Sequence, residues 1–381
     1  MQKNVAVLFG GISCENEISV ITGVMAANLL DASRYAVYPV YIAQDGEWYT
    51  GRQLLDTAAY AGSRAKWPRA LLAGGVLYER RGKKLRPLCK LDCALNCCHG
   101  ARGEDGAVAG LLDLNRIPCA SPGIAPSAVC MDKCLTKLVA RALNIPTLPW
   151  LRIAEDDFRK RGAFAVRCIE ERLGYPVIVK PARQGSSIGV AVAEDRARLL
   201  LAIRAGFAYD TLLLAEKYLA DRREINCAAY RRGEEIVLSP CEEPKTANKF
   251  LTFADKYAEN AKGARSEFPA KLAKETAARV QGYTKLLYRR LDMVGVVRAD
   301  FLLGGGEVYF NELNTVPGAL AWYLFSEKLA DFGGVLTALV EQGICSERAR
   351  AEKKLLCGCG VLRAARGKAG QKARSAPPAR S

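Results

Sequence analysis

The chain has 381 residues, half of them hydrophobic, which suits two or three domains and supplies a sizeable core. Its formal charge of +16 invites a nucleic-acid reading, but the last 36 residues hold ten Lys and Arg against two acids, so +8 of the excess sits in a tail. No apolar run reaches the ~20 residues of a membrane helix and no basic run is interleaved with aromatics, so neither a membrane nor a nucleic-acid partner is expected.

Met1 to Asn4 lead directly into the apolar run Asn4 to Phe9, which reads as a buried parallel strand rather than a signal peptide. A cytoplasmic protein is therefore expected. Gly10-Gly11 turns the chain, and Ser13 is placed to cap a helix from about Cys14 whose apolar positions are Ile18, Ile21, Met25 and Leu29. Glu15 lies near that helix N-terminus, where an acid favours the dipole. Tyr38 to Ile42 is the next strand, giving a doubly wound start without a full G-x-G-x-x-G pattern. Residues 53–90 show no clear periodicity. Cys89, Cys93, Cys97, Cys98 and His99 lack the paired knuckles of a zinc site, and Leu91 to Cys98 reads instead as a buried strand with cysteine as a small apolar residue. In a cytoplasmic chain such thiols stay reduced. His99-Gly100 follows at the strand's C-terminal end, where open α/β sheets bind ligands. As the single histidine of the chain, His99 makes a Ser-His-Asp triad improbable. A helix is expected over Ala107 to Leu114.

Ile117 to Pro126 reads as a linker and Ser127 to Asn144 as one helix carrying Asp132, Lys133 and Lys137, lysines on helices usually being solvated. Tyr175 to Lys180 is a strand, followed by the loop Ala182 to Gly189, whose glycines and serines can approach a phosphate. Leu212 to Lys217 is a strand, and Ile225 to Ser239 a hairpin across Arg231 to Glu234. Pro240 to Tyr257 is long for an idle loop and ends in FADKY. Ala270 to Leu291 is a long helix. Val297 to Gly318 then reads as two strands joined by Gly304-Gly305-Gly306. A three-residue loop sets Leu303 opposite Glu307 and Arg298 opposite Glu312. Arg298, Asp300 and Glu312 then share a face, and Asn314 follows on it. Carboxylates that close repel, and a hard cation with oxygen ligands relieves the repulsion. Leu320 to Gln342 is expected to be largely helical, and residues 346–381 disordered.

Seven stretches, in order, resemble the signatures of one family: LFGGISCENEIS, HGARGEDG, MDKCLTK, VKPARQGSSIGV, AEKYL, FADKY, and VRADF with FNELNTVPG. The chain resembles the D-alanine–D-alanine ligases of the ATP-grasp superfamily from Val5 to about Ile344. The resemblance implies an α/β and α+β fold: a Rossmann-like (pre-ATP-grasp) domain over 1–122, then a two-part ATP-grasp fold over 123–215 and 216–345, with a basic tail over 346–381. It also implies ATP as co-substrate, two magnesium or manganese ions, and ligation of two D-alanines through an acyl phosphate, for peptidoglycan. Lys133, Lys180, Ser186 and Ser187 resemble the residues that hold and cover the ATP phosphates. Glu216, Lys217, Leu219 and Glu224 resemble the adenine and ribose hinge, and Lys256 also falls in the nucleotide set. Asp300, Glu312 and Asn314 resemble the metal ligands. Arg298 and the amide of Gly318 resemble the oxyanion hole. Glu15 resembles the anchor of the first ammonium, with Ser186 and Tyr257 as its hydrogen-bonded partners, and His99 the histidine beside the first D-alanine. Family members are often dimers, so a homodimer is expected.

Where relatives carry hydroxyl-rich residues after Pro-Gly, this chain has Ala319, Leu320, Ala321, Trp322 and Tyr323, leaving Tyr323 to supply a hydroxyl to the second substrate. Tyr257 favours an amine acceptor over D-lactate, and an apolar Leu324 favours D-alanine over D-serine. A D-serine ligase, another ATP-grasp carboxylate–amine ligase, and a binder of anionic polymers through the tail are the rival readings.

Overall fold

Apolar runs bounded by glycine and proline become the strands of three large sheets and a small fourth, in a computed structural model that describes residues 2–245 and 266–353. Lys256, Tyr257, the FADKY stretch and the tail from residue 354 lie outside the described residues. The chain divides into one unit over residues 1–344 and a second over 345–381.

The first sheet holds β1 (Lys3–Gly10), β2 (Tyr35–Ile42), β3 (Trp48–Thr50), β4 (Arg69–Ala73), β5 (Val76–Arg81), β6 (Lys84–Lys90) and β7 (Cys93–Asn96). Its order is β6-β5-β4-β3-β2-β1-β7, with β1 parallel to both β2 and β7. The segment that showed no periodicity is thus an antiparallel meander that extends the sheet edge. Helix α1 (Asn16–Leu29) follows β1; of the expected stripe, Met25 and Leu29 pack half-buried against the core, whereas Ile18 and Ile21 do not belong to the packed face. Ser19, Val20, Gly23, Val24, Ala26 and Ala27 are buried instead, and Ile21 is exposed. Small residues are required because the helix lies close to β1: a Cβ at Gly23 would fall 2.2 Å from the Phe9 ring. Ser13 does not cap this helix; its hydroxyl accepts from Glu15 N and donates to the His99 carbonyl. The strand cysteines Cys93, Cys97 and Cys98 are buried free thiols, as their apolar reading required.

Helix α2 (Ala107–Leu114) has its expected bounds. The expected linker gives way early to α3 (Ile124–Met131), and the single helix expected over Ser127 to Asn144 is broken. At Asp132 the backbone leaves helical angles, and its carboxylate accepts from Cys134 N and Leu135 N to start α4 (Lys133–Ala142). The second sheet, order β10-β9-β11-β8, is antiparallel throughout. It comprises β8 (Trp150–Ala154), β9 (Val177–Pro181), β10 (Ala191–Ala193) and β11 (Leu212–Lys217), with α5 (Glu155–Arg172) and α6 (Arg196–Gly206) between them. Strand β11 runs straight through residues 215–216, where a domain division was expected.

The third sheet, order β13-β12-β16-β17, is also antiparallel. It contains β12 (Arg223–Arg232), β13 (Glu235–Leu238), β16 (Val297–Gly304) and β17 (Glu307–Asn314). A small ribbon of β14 (Glu243–Pro244) and β15 (Ser266–Glu267) lies along β12, and α7 (Lys274–Arg290) packs on this sheet. The hairpin turn is Gly305-Gly306, with φ of 60° and 80°, so Gly304 pairs Glu307 and the turn is one residue shorter than expected. The register then shifts beyond Phe301–Phe310: one extra residue, Asn311, is accommodated, and Asp300 pairs Glu312 while Arg298 pairs Asn314. The expected pairing of Arg298 with Glu312 is therefore corrected, yet all four residues still share one face.

After the hairpin, the expected helix from Leu320 is mostly 3₁₀ turns, Gly318–Leu324 and Leu329–Phe332, before α8 (Gly333–Ala351). Helix α8 ends at Ala351, so residues 346–351, expected to be disordered, are helical. Among the described residues no helix is long and apolar enough to cross a membrane.

Candidate active site

A cavity of about 480 Å³ opens between the second and third sheets, the start of α1 and the His99 loop. Lys133, Lys180, Ser186, Ser187, Glu216, Lys217, Leu219 and Glu224 line it, as do Glu15, His99, Arg298, Asp300, Glu312, Asn314, Gly318 and Tyr323. Every described residue expected at the site therefore lines it except Leu324. Leu324 is buried in the hydrophobic core, because the 3₁₀ turn swings it inward and leaves Tyr323 facing the cavity.

The lysines arrive from different elements. Lys180 on β9 donates to Glu216 Oε2 (2.8 Å) and to Asn311 Oδ1 (3.1 Å). Lys133, in the first turn of α4, donates to the Gln184 carbonyl (2.7 Å) and stands 3.5 Å from Glu312 Oε2. Lys137, expected in solvent, is fully buried one turn further along α4, 2.5 Å from Glu216 Oε1 and 3.2 Å from the Phe310 carbonyl. Glu216 thus sits between two ammonium groups. Burial alone would raise its pKa, but Lys137 and Lys180 outweigh burial and hold it below the ordinary carboxylate range. Its side chain is engaged by the lysines, so it anchors them while lining the cavity.

On the third sheet, Arg298 grips Asp300 through two hydrogen bonds of 2.7 and 2.8 Å. Burial would weaken the guanidinium's hold on its proton, but Asp300 more than reverses this. Asn314 Nδ2 donates to Asp300 Oδ2 at 3.0 Å. Ser186 donates to Glu15, joining the loop after β9 to the start of α1. Glu104, within the stretch HGARGEDG, also lines the cavity. Its carboxylate accepts from Gly100 N (2.8 Å) and Val316 N (3.1 Å), tying the His99 loop to the segment that carries Gly318. Burial, then the neighbouring charge of Glu15, pushes Glu104 up to about 8.

His99 Nε2 lies 2.9 Å from Thr22 Oγ1, which also accepts from Ala319 N at 3.1 Å. Burial pulls His99 from 6.5 down to about 4, so it is neutral at pH 7. The unfolded chain therefore takes up this proton first, and stability is lost as pH falls from 6.5 toward 4. The loss across that window amounts to about 3 kcal/mol. Urea unfolding compared at about pH 7 and about pH 4.5 should show this decline in the wild type, and a smaller one in His99→Gln. An equal decline in both would mean that His99 is not the group responsible.

The donor set at Asp300, Glu312 and Asn314 consists of oxygens, the chemistry a hard cation takes. Among the described residues no group of three or more Asp, Glu, His or Cys gathers into a cage. Two carboxylates that leave coordination positions for substrate phosphates are the usual provision for magnesium. The residues fit that ion.

Three kinds of likeness bear on this arrangement. The family models described as D-ala D-ala ligase N-terminus and D-ala D-ala ligase C-terminus match residues 4–122 and 139–344. A D-alanine–D-alanine ligase of Caldicellulosiruptor bescii is 35% identical over 342 residues, covering 87% of this chain and 91% of that protein. The crystal structure of the Helicobacter pylori D-alanine–D-alanine ligase superimposes with a TM-score of 0.74 at 28% identity, covering 90% of this chain and 98% of that one. The VanG D-Ala:D-Ser ligase of Enterococcus faecalis gives a TM-score of 0.75 at 25% identity, over 91% of this chain and 100% of that one. With both halves matched and the fold shared, the chain belongs to the D-alanine–D-alanine ligase family.

Proposed function

We infer that the chain is an ATP-dependent D-alanine–D-alanine ligase that forms the dipeptide for peptidoglycan through an acyl phosphate. The observation that carries the reading is one cavity lined together by Asp300, Glu312, Lys133, Lys180, Glu15 and Ser186, with Asp300 opposite Glu312 and Lys133 3.5 Å from Glu312. A carboxylate oxygen of the first D-alanine attacks the γ-phosphorus of ATP, and ADP leaves. The amine of the second D-alanine attacks the acyl carbon; the C–N bond forms, the C–O bond breaks and phosphate leaves.

The chain's own residues fit these steps. Lys133 and Lys180 offset the crowded phosphate charge as compact point charges. Ser186 and Ser187 cover the phosphates, and Lys217, Leu219 and Glu224 seat the base and ribose. Glu15 holds the first ammonium, with His99 beside it. Arg298 and the Gly318 amide stabilise the oxyanion of the tetrahedral intermediate, where losing one such donor costs about 3 kcal/mol. Asp300, Glu312 and Asn314 would hold two magnesium or manganese ions, which when bound would offset the negative charge of the phosphates in transfer. We further propose a cytoplasmic homodimer with the Rossmann-like unit near 1–122 and the ATP-grasp parts beyond it.

The test is phosphate release from ATP and magnesium across a panel of amino and hydroxy acids. Release should require D-alanine. Equal or faster turnover with D-serine or D-lactate as acceptor would overturn the substrate assignment. The first rival is the sharper one, because Leu324 does not reach the cavity and so cannot screen out a hydroxymethyl group there.

A further inference from the structure

The third sheet sets four polar residues in a row, each opposite the next: Glu312 on β17, Asp300 on β16, Asn226 on β12, and Glu242 beyond it. Directly opposed residues project to one face, so the row crosses the cavity floor. With strands about 4.8 Å apart, Glu242 stands on the order of 10 Å from Asp300, on the side away from Glu312. One end of the row thus belongs to the phosphates, and the other end bears a lone carboxylate.

Glu242 is 4% exposed and lines the cavity. Its described partners are neutral donors: Asn226 Nδ2 at 3.2 Å, Ser266 Oγ at 2.5 Å and Tyr323 OH at 3.4 Å. Among the described residues no cation stands within ion-pair distance of it, and the Arg298 guanidinium nearby is taken up by Asp300. A buried carboxylate with hydrogen bonds but no paired charge favours a cationic ligand. The ligation supplies one. The acceptor enters as an ammonium and must stand next to the oxyanion site; Arg298, which grips Asp300, lines the same cavity as Tyr323, whose hydroxyl is 3.4 Å from Glu242. Glu15 accepts from Ser186 and, on the ligase reading, serves the first substrate.

We propose that Glu242, oriented by Asn226 and Tyr323, holds the ammonium of the second D-alanine and adds to the preference for an amine acceptor over a hydroxy acid. The proposal rests on the ligase reading. It gives the segment after Gly318 its purpose: the turn that buries Leu324 brings the Tyr323 hydroxyl to Glu242. A hydroxy acid brings no charge to this carboxylate, so the discrimination is electrostatic rather than steric.

The test compares wild type, Glu242→Gln and Glu242→Asp in three assays. Hydroxylamine trapping of D-alanyl phosphate reports activation of the first substrate without the acceptor. Dipeptide formation at rising D-alanine reports the acceptor, and D-alanyl-D-lactate formation reports the hydroxy-acid alternative. In Glu242→Gln the dipeptide-to-hydroxamate ratio should fall by about tenfold or more. The D-lactate-to-D-alanine acceptor ratio should rise by a similar factor, and Glu242→Asp should recover part of both. Tyr323→Phe should move the ratios the same way by a smaller factor, and serves if Glu242→Gln does not fold. Dipeptide and hydroxamate falling in parallel, or unmoved ratios, would overturn the proposal. A wild type that yields neither hydroxamate nor dipeptide would instead overturn the ligase reading.

Discussion

Glu312→Gln is expected to lower D-alanine-dependent phosphate release by about a thousandfold or more while leaving the urea midpoint of unfolding nearly in place. The two halves of that result have separate causes. Glu312 lies directly opposite Asp300, and its side chain is 28% exposed. Removing one negative charge there strips no core contact, and Lys133 keeps its bond to the Gln184 carbonyl. Chemistry suffers far more. The site is designed around crowded anions: two carboxylates, the substrate carboxylate and the ATP phosphates. An amide offers a weaker oxygen to a hard cation and does nothing to offset its charge. Phosphate release at saturating magnesium, measured beside urea unfolding, checks both halves. Wild-type turnover in the variant would remove Glu312 from metal binding.

Much of this site was legible from alternation and local turn chemistry. Strand β11 has the bounds its apolar run suggested, and the hairpin face could be read because side chains repeat every two residues. The hairpin reading survived two errors that cancel. Its turn is shorter than a Gly-Gly-Gly stretch suggests, and the extra residue Asn311 restores the facing of Asp300 and Glu312. No sequence period announces such an insertion, so Asn311, which meets Lys180, was missed. Helix faces were harder to read. Bulk suggested Ile18 and Ile21 for the packed side of α1, but close approach to β1 selects glycine, alanine and serine. The two isoleucines face the cavity instead. Strands β4 to β6, toward one edge of the first sheet, carry charges on a half-exposed surface and so blur the alternation that marks a strand. Glu242 and Tyr323 meet through a bridge and a turn distant in sequence, which local patterns do not encode.

Glu216→Gln is expected to cost about 3–5 kcal/mol of folding stability, because it leaves buried ammonium groups facing an amide. Lys137 is the more exposed to this loss in energetic terms, although it is the more buried in space. It lies in the core with Glu216 and the Phe310 carbonyl as its polar contacts, whereas Lys180 retains Asn311 and the cavity. The lowered pKa of Glu216 fixes the pH dependence. A carboxyl held below its ordinary 4.5 contributes stability that is fully present above that value and is lost as pH falls through the depressed one. Wild-type and variant stabilities should therefore converge in acid. Lys180 also loses its fixed aim, so the KM for ATP should rise by about tenfold. Adding Lys137→Met removes the orphaned charge and should recover part of the stability but not the ATP affinity, since Lys180 stays unanchored. Urea unfolding against pH and ATP titrations of the single and double variants separate the two effects. A loss below about 1 kcal/mol in the single variant, or a double variant less stable than the single, would mean that Lys137 is not held charged in the core by Glu216.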